Sequence, residues 1–463
     1  MTLARQIADR IHALRFEDIT PAALDWVRAA FVDTVGVTLA GMVEEGPRIL
    51  LRVPGIAAAR GPSLIFASDT RTTALDAALV NGIASHALDY DDVSGVMGGH
   101  PSAPLIPPLI ALGEMLGSSG RDIALAYVVG FETECRFARG VHFHHYDKGW
   151  HPTATLGIFG TVAAVARLLP LTPEQTATAL GLAASFASGL KANFGTMTKP
   201  MHVGHTARNG LLAALMVQQG FTANPAALEH KQGFLEVFNG AGTYDPARIL
   251  ADWYAPLEVE GGEPGLKPFP CCGSTHAAID RMLELVRQHD LRAEQIATIT
   301  VMPHARRLPH TDKPNPRTPL AAKFSVQYCV ARALVDHAVR LEHFEGEAHL
   351  DPRVRAVMAR LTAMPHPDMP PDAALQWGAE VVVMTTDGQR LASRLDDYAR
   401  RAPDALPMTT EEVWTKFADC AQRALPRAAI APAFDRVCRI DSLANIAELT
   451  AALELRAGAA QAA

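Results

Sequence analysis

Along roughly the first 260 positions, apolar residues recur at helical spacing, segment after segment. In "TLARQIADRIHALR", Leu3, Ile7, Ile11 and Leu14 fall on one face at a period near 3.6. The next segment opens on Thr20 and Pro21, a cap and a first-turn proline, and carries Leu24, Val27, Phe31, Val35 and Leu39 inward. Gly41 reads as its C-cap. "LTPEQTATALGLAASFASG" repeats the plan, with Thr172 and Gln175 spaced for a capping box around Pro173. Helices apolar on several sides belong inside a large helical body.

Near Lys267 the pattern changes. A helix predicted over about His276 to His289 is followed by "QIATITVM", which alternates as a half-buried strand does. "LAAKFSVQYCVARALVDHA" reads as a helix, and "AEVVVMTTDGQRLASRL" as a hairpin turning on Asp387-Gly388. Thr409 and Glu412 then form another capping box, and helical signals continue to the end. The predicted fold class is therefore mainly α with a smaller α/β domain. Residues 1–266 and 399–463 form an all-helical domain, and 267–398 the α/β domain. A chain of 463 residues is long enough for two cores.

Composition narrows the partners. A net charge of −7 without lysine-arginine runs argues against nucleic acid or a membrane surface. The N-terminal "MTLARQIADRIHALR" lacks the apolar core of a signal peptide, and no run reaches the roughly 18 apolar residues of a membrane span. Six cysteines without CxxC spacing fit a reduced, cytoplasmic chain. There is no HExxH, P-loop, GxSxG or strand-linked GxGxxG, which sets aside zinc proteases, nucleotide enzymes and α/β-hydrolases.

Four islands of polar residues remain in apolar surroundings. "HALDYDDVSGVMGGHPSAPLIPPL" holds Asp89, Asp91, Asp92 and His100, with the aspartates at or past the C-terminus of a helix, where carboxylates need a partner. "HFHHYDKGWHPTATLG" holds His142, His144, His145, Tyr146 and His151. Its HxHH cluster lacks the i, i+4 spacing of a preformed metal site, and Asp147 is the only nearby carboxylate, so His142, His144 and His145 read as a surface cluster and only His151 is assigned to a site. "GTMTKPMHVGHTARNG", residues 195–210, reads as a glycine-punctuated loop with Lys199, His202 and His205 ahead of an apolar helix. "LKPFPCCGSTHAAID" places Lys267 and Cys272 before a helix and His276 in its first turn, where an anion is favoured; Cys271 reads as packing.

Lys199, Lys267, His100, His151 and Asp89, with no cofactor motif and no metal spacing, suit a small polycarboxylic acid. A base takes the α-proton while ammonium and imidazole groups stabilise the enediolate. That intermediate can eliminate a β-group, lose CO2 or be reprotonated on the other face. A helical scaffold without catalysis is the rival class, and the same five residues speak against it.

The motifs "HALDYDD…GGHPSAPLIP", "GWHPTATLG", "GTMTKPMHVGHTARNG" and "KPFPCCGSTH" resemble, in that order, the MmgE/PrpD family, whose members dehydrate 2-methylcitrate, decarboxylate cis-aconitate or epimerise iminodisuccinate. The resemblance implies an inserted α/β lid, a homodimer, and an active site between the domains without metal or cofactor. It makes Asp89, His100, His151, Lys199 and Lys267 the catalytic set, with Tyr146, His202, Cys272 and His276 as substrate contacts. Lys199 would then answer to the substrate alone, and Lys191 would be a neutral bystander. Decarboxylase members carry a histidine five residues after the lid lysine, where this chain has Cys272. The implied reaction is dehydratase-like β-elimination on a di- or tricarboxylic acid; the alternative is epimerisation.

Overall fold

The computed structural model describes residues 1–369, 377–396 and 407–455. They form a mainly helical protein with small sheets, and the caps read from sequence hold. Thr20 accepts from Ala23 N and starts helix Pro21–Gly41, Thr172 and Gln175 cap Pro173–Ala183 reciprocally, and Thr409 with Glu412 starts Thr410–Ala421.

Glycines in the helical body are packing sites more often than stops. Helix Pro21–Gly41 ends with Met42 still right-handed, so Gly41 is not a left-handed cap. A Cβ there would lie 1.9 Å from the carbonyl oxygen of Ala84, so the bare glycine lets two helices touch. The stretch 195–210 is corrected for the same reason. Helix Thr198–Gln218 begins inside it, and a Cβ on Gly204 would meet the Leu79 carbonyl at 2.5 Å. Gly82 of helix Ala74–His86 faces the Gly204 backbone in return. What reads as loop punctuation is a close helix crossing.

Among the described residues the buried apolar side chains form two large clusters and a small third one of Val37, Ala40, Leu88, Tyr90, Leu341 and Cys420. The largest gathers Ile7, Phe31, Leu105, Phe159 and Leu211 with Phe417, Ala421 and Leu449, so the C-terminal helices pack back onto the N-terminal ones. The second centres on Ile279, Ile299, Val301, Val330 and Val381. Its sheet runs Leu361–Ala363, Ile296–Pro303, Ala379–Thr385, Arg390–Leu395. The first pair is parallel (Ile299 beside Leu361), and the others are antiparallel (Val301 beside Val381, Val383 beside Leu391). The hairpin turns at Asp387-Gly388, with Gly388 at φ +90°. The predicted boundary at 398/399 lies outside the described residues.

Two differences position the site. The helix expected over "LAAKFSVQYCVARALVDHA" breaks into Pro319–Ala322 and Val326–Asp336, because Ser325 caps the second piece and accepts from Tyr328 N at 3.1 Å. The break releases Lys323 toward the helical body. A strand pair outside the α/β window also forms: Val93–Ser94 runs antiparallel to Pro264–Gly265 and ties the aspartate-rich segment to the run leading into Lys267.

Candidate active site

Helix Ala74–His86 starts on Thr73 and ends where the aspartates begin. Asp89 adopts φ +53°, a left-handed conformation that aspartate tolerates better than most side chains. The reversal turns Asp89, Asp91 and Asp92 into the protein, where all three are buried. Three buried lysines distant in sequence hold the turn by successive carbonyls. Lys323 donates to Leu88 O at 2.8 Å, Lys267 to Asp89 O at 2.7 Å, and Lys416 to Tyr90 O at 2.8 Å. Lys416 also pairs with Asp33 at 2.5 Å, and burial pulls Lys323 down to about 8.

The Asp89 carboxylate sits between two ammonium groups. Lys199 pairs with Oδ1, Lys267 lies 3.2 Å from Oδ2, and His100 Nε2 is 3.5 Å from Oδ1. Burial alone would raise Asp89, but Lys199, then Lys267 and His100, hold it well below the usual carboxylate range. Lys267 is shifted the other way: burial lowers it, and Asp89, together with Asp91 and the neighbouring cysteines, more than restores it. Lys199 therefore has an internal partner, which corrects the expectation that it answers to substrate alone. An ammonium this buried without a carboxylate of the protein would be costly to the fold.

Asp91 serves two imidazoles. His86 Nδ1 donates to its Oδ2 at 2.8 Å, and His100 Nδ1 approaches the same oxygen at 3.1 Å. The His86 and His100 ring centroids are 4.5 Å apart, and His86 stacks on His151 at 5.6 Å. Burial drives His86 down to about 3 even against Asp91. His86 opens the quoted "HALDYDD" motif and went unassigned; its place in the last helical turn, three residues before Asp89, was the available signal.

His151 is buried at the N-terminus of helix Pro152–Thr155, with Nδ1 3.2 Å from His202 Nδ1. Its Nε2 has no hydrogen-bond partner among the described residues. Burial, then Lys199 and the neighbouring imidazoles, holds His151 well below its ordinary range. His202 supports His151 from behind and does not line the cavity. His276 is also set back, with Nε2 3.2 Å from the Cys271 carbonyl. His145, expected in a surface cluster with His142 and His144, is instead buried between Asn239 Oδ1 (2.8 Å) and Thr155 Oγ1 (2.7 Å).

A cavity of about 70 Å³ opens over this arrangement. Asp89, His100, Tyr146, His151 and Lys199 line it from the helical side. Lys267, Cys272, Ser274, Arg307, His310 and Trp377 line it from the α/β side. Burial, then Asp89, pushes the Cys272 thiol up, while Lys267 opposes. Lys191 is no bystander: its Nζ lies 3.3 Å from the Tyr146 ring centre and donates to the Tyr146 carbonyl at 2.9 Å. Arg307, His310 and Trp377 escaped the sequence reading, although "HARRLPH" after a strand sets two arginines between two histidines. Among the described residues, His86, Asp89 and His100 bring possible ligand atoms within 4.8 Å of one another. Two ammonium groups already flank that carboxylate and would repel a divalent ion.

Residues 5–247 match the MmgE/PrpD N-terminal domain, and residues 269–438 the MmgE/PrpD C-terminal domain. The chain belongs to the MmgE/PrpD family. Cis-aconitate decarboxylase from Homo sapiens is 27% identical over 98% of this chain and 95% of that protein. The enzyme of the same name from Aspergillus terreus is 27% identical over 81% and 80%. A 2-methylcitrate dehydratase from Cupriavidus necator is 25% identical over 88% of each. These relatives are lyases, and the MmgE/PrpD chain is lyase-like with them. Its N-terminal match carries Asp89, His100, His151 and Lys199, its C-terminal match Cys272, Arg307 and His310, and Lys267 falls between the two. No single helix among the described residues is long and apolar enough to cross a membrane.

Proposed function

We propose that this MmgE/PrpD protein is a cofactor-independent lyase that removes the α-proton of a small di- or tricarboxylic acid and expels a β-hydroxyl, in the manner of a dehydratase. The observation that carries the reading is a buried imidazole with an unpartnered nitrogen, His151 Nε2, beside two lysines that share one aspartate. With His202 accepting at Nδ1, His151 keeps its Nε2 lone pair for a proton. A bound dianion raises an imidazole held low by burial and cations, bringing this base toward working pH. Lys199 and Lys267 stabilise the enediolate as its charge develops. His100, backed by Asp91, gives a proton to the departing hydroxyl; the α-carbon electrons form the double bond, and water leaves. Residues 267–398 act as the lid that closes the cavity, and the chain works as a homodimer.

Epimerisation is the second reading. It takes its support from Tyr146, a cavity-lining phenol clamped by Lys191. NMR of a panel of di- and tricarboxylates in D2O separates the outcomes. Elimination yields vinyl signals, epimerisation yields α-deuteration with every group retained, and decarboxylation, as in the cis-aconitate decarboxylases this chain resembles, releases CO2. A panel in which nothing exchanges and nothing is consumed overturns the enzyme reading and leaves a scaffold.

A further inference from the structure

Arg307 does different work from Lys267, although both lie on the α/β wall. Its buried guanidinium has its central carbon 3.6 Å from the centre of the Trp377 ring. A Cβ on Gly273 would lie 3.4 Å from that indole and 3.8 Å from Lys267 Cε. One ring and one bare glycine thus separate the guanidinium from the ammonium that holds Asp89. Beside them, Ser274 Oγ is 2.9 Å from His310 Nε2. Burial, then the Arg307 charge, pulls His310 down to about 3, so this imidazole stays neutral and orients the serine hydroxyl. Among the described lining residues, Lys199, Lys267 and Arg307 are cations and Asp89 is a carboxylate.

We propose that Arg307, laid flat on Trp377, receives a second carboxylate of the substrate, so that the ligand spans the cavity from the Lys199–Lys267 end to the Arg307 end. This rests on the reading that a small polycarboxylate occupies the cavity. A guanidinium presents two parallel N–H groups to a carboxylate, and stacking on an indole fixes the plane in which they point. A lysine at that place would supply charge without the plane. The indole acts as a spacer between the two cationic poles, which selects ligands by the distance between their carboxylates. Arg307 is therefore the residue that determines specificity for dicarboxylates of succinate or glutarate length; it touches the carboxylate remote from the reacting carbon.

Calorimetric titration of the full chain with succinate, glutarate and the monocarboxylate butyrate tests this. The wild type should bind one of the diacids about tenfold or more tighter than butyrate, the advantage of one charge-assisted hydrogen-bonded pair. In Arg307→Gln that advantage should shrink to about two- to threefold, with the butyrate Kd unchanged, and Arg307→Lys should fall between. The proposal is overturned if Arg307→Gln keeps the diacid preference, if it weakens butyrate and diacid alike, or if the wild type binds no diacid at millimolar concentration. Should Arg307→Gln fail to fold by circular dichroism, Arg307→Lys decides, and a diacid advantage equal to wild type overturns the idea. Because the readout is equilibrium binding, a protein that holds diacids through Arg307 yet turns none over sinks the lyase reading and leaves this one standing.

Discussion

On the helical side of the cavity, Asp89 and, behind it, His86 and Asp91 are almost sealed from solvent; Asp89 pairs with Lys199, Lys267 and His100, and Asp91 with His86 and His100. On the α/β wall, Arg307 and His310 come from the segment after a strand, Trp377 from the entry to another, and His310 and Trp377 are only partly buried. The first wall is held in place before any ligand arrives. Buried charges there are paired, and removing one partner strands the other. Apart from the buried, paired Lys267, the second wall presents Arg307 stacked on Trp377 and His310 against the Ser274 hydroxyl. The proposed chemistry draws on the buried, paired groups, Lys267 among them, and the proposed selectivity on the stacked Arg307.

The hardest break to that contrast is Lys199→Ala. It should lower kcat/KM by on the order of 10²- to 10³-fold, as loss of a positioned donor does. It should also lower Tm, because Asp89 loses its Oδ1 partner. Adding Asp89→Asn to Lys199→Met should restore Tm but not turnover. Near-normal kcat with unchanged Tm in the single variant would mean that neither wall depends on this lysine.

Asp91→Asn strikes the same wall one layer deeper. Turnover should fall on the order of 10²-fold, the lower end of what a positioned acid or base supplies. The sign of its pH effect follows from His100, which Asp91 raises against the lowering by burial. Without Asp91 the imidazole loses its proton at lower pH, so the alkaline limb of the kcat/KM profile should move to lower pH. An alkaline limb that stays put removes His100 from the acid's role.

Lys191→Ala loosens Tyr146 where the two walls meet. KM should rise by roughly three- to tenfold with kcat nearly kept, the pattern of lost binding common to ground and transition state. Steady-state kinetics checks it, and a fall in kcat alone would move Tyr146 into the chemistry.

The smallest effect tests the packing behind the helical wall. Burial holds His145 at about 4, below the ordinary 6.5, so the unfolded chain takes that proton first as pH falls. The stability this neutral imidazole contributes is complete above about pH 6.5 and is lost between there and about 4. In His145→Gln, the slope of unfolding free energy against pH from urea melts in that window should be shallower by about one proton, roughly 1.4 kcal/mol per pH unit. An unchanged slope would show that His145 opens to water.

Legibility followed range. Thr20, Thr172 and Thr409 were readable as caps because a cap is settled within four residues. Lys199 and Lys267 were readable as site lysines because a cation in an apolar segment needs a reason. Gly41 and Gly204 were misread, since a glycine that admits another helix looks the same in sequence as one that ends its own. His86 was overlooked and His145 put on the surface because burial of an imidazole depends on what folds over it.

By itself, the sequence determined the mainly helical fold class, the period-2 window that became the four-stranded sheet, and the inventory of aspartates, imidazoles and lysines from which the site is built. Those are properties of local periodicity and residue type. Only the tertiary structure decided that Lys199 pairs with Asp89, that Lys323, Lys267 and Lys416 hold three successive carbonyls, and that Arg307 faces the cavity against Trp377. Each of those contacts joins residues tens to hundreds of positions apart, and no local spacing encodes which buried cation meets which oxygen. Desolvation makes the choice: once the apolar clusters close, every charge left inside must find a partner within reach.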